Sequence, residues 1–289
     1  MHSAFAHVRE KHLEVDLDFD AKNIETINLT LSKVIEGHGT ALDMIAAAKS
    51  IVPFTAALCV VNRVDQSPVY LGDTYPDGAP KDAVQRYINS TYLLNPLYNA
   101  FLAGLQPGLH RMIDLAPDNW QTFDDPHEAI LARKEEIGFR TRGWPEGLQE
   151  LALTVDLSNG MMGELSLARP SDLGGFEPQL VARFQPFYPL FATAFRQLWA
   201  HNSNNTATLT ERRAPLEGFV KDILSPREAE IVQLILKGHS SLSISLTLGI
   251  ALPTVKTHRK NAYAKLGINT QQQLLNAFLQ WQEAATSSK

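Results

Sequence analysis

Apolar residues recur at helical spacing at both ends of the chain, and between them the pattern changes to that of strands. Ile24, Ile27, Leu31, Val34 and Ile35 step by three and four, and Ala41 to Lys49 resumes the pattern after Gly37-His38-Gly39. That spacing predicts two helices between Ile24 and Ile51. Phe54 to Val64 is a continuous apolar run, expected for a central strand buried on both faces, with Ser67 to Gly72 as its hairpin partner. Lys81 to Tyr92, Pro96 to Leu105 and Pro126 to Ile137 read as helices, and Leu109 to Leu115 as an edge strand. Glu150 to Leu157 and Met162 to Arg169 alternate as strands across Asn159-Gly160, a strong hairpin signal. Phe176 to Trp199 is a long amphipathic helix interrupted at Pro186 and Pro189.

The last part of the chain reads as four short helices. Ser225-Pro226-Arg227-Glu228 has the spacing of a capping box, with proline at the first helical position. Ala229, Val232, Ile235 and Leu236 form the apolar face, and Gly238 ends the helix. Ser241 to Leu248 is a second helix with Leu242, Ile244 and Leu248 as its apolar positions, and Gly249 makes the turn. A third helix begins near Pro253 and runs to about Leu266. Thr270 and Gln273 repeat the capping spacing for a fourth, carrying Leu274, Leu275, Phe278 and Trp281.

Helix, tight glycine turn, helix is the geometry that sets a helix into a major groove. The third helix has suitable chemistry. Val255, Ala262 and Leu266 share one face, while Lys256, Thr257, Lys260 and Ala264 lie on the opposite one, flanked by Thr254, Arg259, Tyr263 and Lys265. Between Leu252 and Leu266 there are four Lys/Arg and no acid. Basic residues on a helix often form no more than a solvated face; the ordered set of caps, turn and charge asymmetry favours DNA. The run Leu224-Ser225-Pro226-Arg227-Glu228, then Gly238, Thr254-Val255-Lys256-Thr257-His258, Asn261 and Lys265-Leu266, resembles the LuxR/GerE-type helix-turn-helix over about 55 residues. The resemblance implies a third helix that reads DNA and a fourth that pairs two protomers. It places Lys256, Thr257 and Lys260 at base-facing positions and Thr254, His258 and Lys265 near phosphates, with Arg259 beside them. Two positions depart from the family pattern: Ser241-Leu242-Ser243-Ile244-Ser245 replaces a charged run, and Ala251 stands where a capping serine is usual.

Composition divides the chain the same way. From Leu216 onward the charge is +3 against −8 for the remainder, within a total of −5. The basic end suits nucleic acid and the acidic end another task. With 289 residues and 44% hydrophobic content the chain can bury two cores. The organisation expected is a GAF/PAS-like regulatory domain over residues 1–200, a linker over 201–215 rich in Asn and Thr, and a helix-turn-helix domain over 216–289. The fold class is an α+β (α/β sandwich) domain with a central antiparallel sheet, plus a small all-α four-helix domain. Cys59, the one cysteine, lies in an apolar run and reads as core; no disulfide framework is possible, which fits a reducing cytoplasm. A charged amino terminus and the lack of a long apolar run point away from a signal peptide and a membrane. His2, His7 and His12 do not share a helical face, so no metal or other cofactor is expected.

The order of elements before residue 200 also resembles the amino-terminal half of many LuxR-type regulators. Tyr92-Leu93-Leu94-Asn95-Pro96 looks like that family's Tyr-x-x-Asp-Pro segment, with Asn95 in place of the aspartate that bonds an acyl-homoserine lactone. The tryptophan that branch carries ahead of its tyrosines is missing as well, which points to a different effector. Tyr87, Tyr92 and Asn95 are the candidate effector contacts, with Trp144 as a lid. Against this, tyrosines in such modules are often core, and Asn95 before Pro96 reads equally as a helix cap. The function expected is a DNA-binding transcriptional regulator, acting as a homodimer on double-stranded DNA under a small-molecule effector. The alternative is a ligand-independent regulator whose first domain dimerises or docks a protein. No Gly-x-Ser-x-Gly, phosphate-binding glycine loop or His-Glu-x-x-His is present, so an enzyme is not expected.

Overall fold

The computed structural model describes residues 19–64, 66–115, 148–203 and 216–287. The helix expected at Pro126 to Ile137, Trp120 and Trp144, the amino-terminal histidines and most of the expected linker lie outside these residues. Among those described, no helix is long and apolar enough to cross a membrane.

The amino-terminal part is built on a five-stranded antiparallel sheet. Helices α1 (Ala21–Ile35) and α2 (Ala41–Lys49) lead into strands β1 (Ala56–Arg63) and β2 (Gln66–Asp73). Then come α3 (Ala79–Asn89), a 3-10 turn (Thr91–Leu94), α4 (Pro96–Leu102), β3 (Gly108–Arg111) and α5 (Met112–Leu115). Strands β4 (Leu148–Asp156) and β5 (Met161–Pro170) are followed by α6 (Pro178–Phe184) and α7 (Tyr188–Ser203). The spatial order is β2-β1-β5-β4-β3. The continuous apolar run therefore becomes an interior strand, and Gly108–Arg111 an edge strand, while Met112–Leu115, expected to continue that strand, form α5 instead. The β4–β5 hairpin closes through Ser158, Asn159 and Gly160, all at positive φ. The expected long helix breaks into α6, a 3-10 turn at Gln185–Phe187 and α7, because Pro186 and Pro189 lack the N–H groups an unbroken ladder needs. Residues 201–203, expected to begin the linker, are the last turn of α7.

Alternation along the strands gives the sheet two unlike faces. One carries Ala57, Cys59, Val61, Leu151, Leu153, Val155, Leu165 and Leu167 and packs against α1, α2 and α7 in a single core. Cys59 lies inside it, and burial pushes its thiol up, so it is a packing residue. The other face is covered by α3 at one end, where Leu58 and Val60 meet Val84, Tyr87 and Ile88. Near the other end Ala152 and Met162 meet Leu97 and Phe101 of α4.

A second core belongs to the carboxy-terminal helices α8 (Pro226–Leu236), α9 (Ser241–Leu248), α10 (Leu252–Leu266) and α11 (Gln271–Ser287). Ser225 and Glu228 form the expected capping box, Gly249 and Gly267 end α9 and α10 in the left-handed region, and Thr270 and Gln273 exchange the expected pair of bonds. The apolar face of α9 differs from the expectation. Ile244 is fully buried, but Leu242 is exposed, and Ser241 and Ser243 take the inward positions. They can do so because Arg259 donates to the Ser241 hydroxyl at 3.2 Å and Ser243 meets the His239 ring at 2.9 Å. The two cores touch: Leu94, from the turn before α4, is buried within the carboxy-terminal cluster and Leu93 packs beside it.

One tight packing point in the first core lies between β5 and α7. A Cβ on Gly163 would stand 2.4 Å from the Phe195 ring. Gly163→Ala should therefore lower unfolding stability by about 1–3 kcal/mol, as expected for overpacking, with Phe195→Leu in the same chain recovering part of the loss. Denaturant unfolding of the two variants checks this.

Candidate nucleic-acid interface and effector site

Helix α10 is held from beneath by Val255 and Ala262, both fully buried, with Tyr263 and Leu266 packed partly against the same core. Those anchors turn the opposite side outward, and Thr254, Lys256, Thr257, Lys260 and Asn261 are all exposed. The Thr257 hydroxyl bonds back to the Pro253 carbonyl at 2.9 Å. Ala251, at the cap position, supplies no side-chain bond, so the start of the helix lacks the usual side-chain acceptor.

The flanking residues are more committed than the sequence implies. His258 and Arg259 are half-buried, and Arg259 is tied to Ser241 of α9. Lys265, placed near phosphates by resemblance, directs its ammonium to the Glu228 carboxylate at 2.6 Å. This forms an internal ion pair between the last turn of α10 and the first turn of α8. Glu228 is 6% exposed at its side chain and also accepts from the Ser225 backbone N–H at 2.9 Å. The Lys265 hydrogen bond, then the Ser225 N–H, hold this carboxyl down at about 2. The pair was hidden in the sequence because its partners are 37 positions apart.

The candidate effector residues fare unequally. Asn95 caps α4: its Oδ1 accepts from the N–H groups of Leu97 and Tyr98, at 2.7 and 3.3 Å. That oxygen serves the helix start, the other role the sequence offered for Asn95. Tyr92 is buried edge-on against Tyr98, with ring centroids 4.9 Å apart, and reads as core. Tyr87 differs: its hydroxyl is buried and has no partner. The structure brings the two rings into one neighbourhood because α3 stops at Asn89 and Tyr92 belongs to the following turn. Trp144 lies outside the described residues.

The residues that sequence reasoning missed are Asn62, Glu150, Glu164 and Ser166, polar positions on the α3 side of the sheet. Two glutamates within otherwise apolar strands were the available signal. A separate groove of about 390 Å³ lies between β3, α5 and α6, with Arg111 paired to Asp114 at its rim, and contains none of the candidate residues.

Residues 222–278 match the family model described as bacterial regulatory proteins, luxR family. An HTH-type transcriptional regulator of Aeromonas salmonicida (exeN 3' region) is 29% identical over 151 residues, covering 49% of this chain and 76% of that one. The transcriptional activator protein CarR of Pectobacterium carotovorum subsp. carotovorum is 21% identical over 209 residues, covering 72% and 78%. By the family match, residues 222–278 are a luxR-family regulatory domain. Among solved structures, the LBD domain of VqsR from Pseudomonas aeruginosa aligns at a TM-score of 0.45 with 17% identity, over 63% of this chain and 98% of that one.

The depressed Glu228 carboxyl gives a signed pH dependence. Its stabilisation is complete above the ordinary carboxylate range, near pH 4.5, and is lost as pH falls toward 2. In a chain with Trp120, Trp144 and Trp199 replaced by Phe, the thermal midpoint read at Trp281 should drop across that window. Glu228→Gln should lower the midpoint at neutral pH and flatten its acid dependence.

Proposed function

We propose that α10 is the recognition helix of a homodimeric regulator of double-stranded DNA, and that the amino-terminal domain, within residues 1–200, is its effector-sensing module. Residues 216–289 form the DNA-binding domain, joined to the first by a linker after α7. One observation carries the DNA reading. A single face of α10 exposes Thr254, Lys256, Thr257 and Lys260 without an acid among them, while the buried face locks the helix onto α8. Ammonium groups then reach phosphates or guanine edges, and threonine hydroxyls reach either. His258 and Arg259 sit at the edge of this face, Arg259 bonded to Ser241 of α9, whereas Lys265 steadies the helix through Glu228. The luxR-family match and the regulator names of its relatives support the same assignment.

The effector reading rests on the amino-terminal domain's own architecture. Tyr87 brings an unsatisfied buried hydroxyl to the helix-covered sheet face. Tyr92, beside it, is followed directly by Leu93 and Leu94, which pack on the DNA-binding core. Occupancy near Tyr87 is thereby linked, through one short turn, to the seating of the basic domain. A small molecule favouring one seating would shift the spacing of two recognition helices and hence their fit to two half-sites.

Selection of random duplexes on the full-length protein supplies the binding site for a direct test. Lys256→Ala and Lys260→Ala should each weaken that site by about 10- to 100-fold, the loss expected where a base contact is removed. Lys265→Ala should lower thermal stability more than it changes the salt dependence of binding. Full retention of DNA by both Lys256→Ala and Lys260→Ala would remove α10 from the interface.

A further inference from the structure

The sheet face beneath α3 and α4 is apolar at its two ends and polar between them. Register places Glu164 opposite Val60 and Thr154, Ser166 opposite Leu58 and Ala152, and Glu150 opposite Ala168. Asn62, opposite Met162, stands on the same side. These four residues fill the gap between the Leu58–Val60 patch and the Ala152–Met162 patch.

Their hydrogen bonding is short of donors. The Asn62 Nδ2 donates to Glu164 Oε2 at 2.6 Å, and the Ser166 hydroxyl donates to Glu150 Oε2 at 3.3 Å. Asn62 is fully buried, yet its Oδ1 has no partner, and the buried Tyr87 hydroxyl has none either. Among the described residues neither glutamate is ion-paired, although Glu164 is 2% exposed and Glu150 half-buried. Arg63 lies at the rim, but its guanidinium donates to the Ser67 carbonyl at 2.7 and 3.2 Å. Two carboxylates and an amide oxygen thus meet one amide donor and a few hydroxyls, with no cation among the described residues, where the interior rule is that acceptors find donors.

We propose that this niche binds a small organic cation, an ammonium or guanidinium whose N–H groups reach Glu164, Glu150 and the Asn62 Oδ1. The inference deepens the effector reading and rests on it, giving the ligand its chemical class. Burial raises both glutamates to about 7, and the charge of Glu150 adds to the effect on Glu164. A cation supplies the counter-charge that the described residues lack, so binding drives proton release from the niche. The titratable groups facing the carboxylates are Tyr75 and Tyr87, with Tyr92 and Arg63 at the rim and Cys59 on the reverse side of β1. Burial holds Tyr75, Tyr87 and Cys59 protonated, so the glutamates set the pH response near neutrality.

The test is thermal unfolding of the full-length protein at pH 8 with butylammonium or agmatine at millimolar concentration, against butanol, butyrate and sodium chloride. The organic cations should raise the midpoint by several degrees, and the effect should shrink between pH 8 and pH 6 as the carboxylates take up protons. Glu164→Gln and Glu150→Gln should each abolish the response while leaving the unliganded midpoint at pH 8 unchanged or higher, since each removes a charge that burial disfavours. Equal shifts from butanol or butyrate, a larger shift from magnesium or calcium chloride, or a response that survives in both glutamine variants would overturn the proposal. A shift produced by a neutral N-acyl lactone alone would sink the cation class and leave the effector module standing. No shift with any probe, with DNA retention intact, would sink the site without touching the role of α10.

Discussion

The Glu228 carboxylate is the point on which the carboxy-terminal domain depends. It closes the capping box of α8 through the Ser225 N–H and takes the Lys265 ammonium from the far end of α10. A carboxylate so little exposed carries a desolvation cost, and only the charge-assisted bonds it receives offset it. One group thereby fixes where α8 begins and how α10 lies across it. Val255 and Ala262 add the apolar half of the same contact. The exposed lysines owe their orientation to this buried side, because a helix with no fixed underside presents no defined face to a groove.

The amino-terminal domain meets the opposite situation. The sheet's first face is closed by α1, α2 and α7 into a continuous apolar core, with Gly163 letting Phe195 lie directly on β5. Its second face leaves two carboxylates without counter-charge among the described residues. In a core chosen for stability alone, apolar residues of similar volume would serve better at those positions. These unsatisfied polar groups lie in an otherwise well-packed sheet, close to the turn that touches the carboxy-terminal core. The basic domain is held by a satisfied charge, and the acidic domain keeps unpaired ones among its described residues.

Much of this was legible in the residues. The Asn159-Gly160 hairpin, the buried run that became β1, the edge position of β3 and the Pro-broken helix before residue 203 all follow from local pattern, and each stands in the structure. So do both capping boxes of the last four helices and the division of α10 into a buried and an exposed side. What the reading missed lay in contacts distant in sequence. The Lys265 ion pair was not visible because its partner Glu228 is 37 positions away. Leu242 looked like core because serines are seldom chosen for an inward face, and only Arg259 and His239 make them acceptable there. Asn95 offered two readings, and the helix start claimed its oxygen.

The sequence by itself determined the elements, their order, and the chemistry available on the recognition helix, since caps, turns and periodicity act within a few residues of where they are written. The tertiary structure alone decided which charges are spent internally and which remain for a partner. Glu150, Glu164 and Asn62 come from three strands, and nothing in any one strand shows that they share a face beneath the same helices. Desolvation and pairing depend on neighbours that the fold brings together, so the difference between a committed lysine and an unanswered glutamate exists only once the chain has folded.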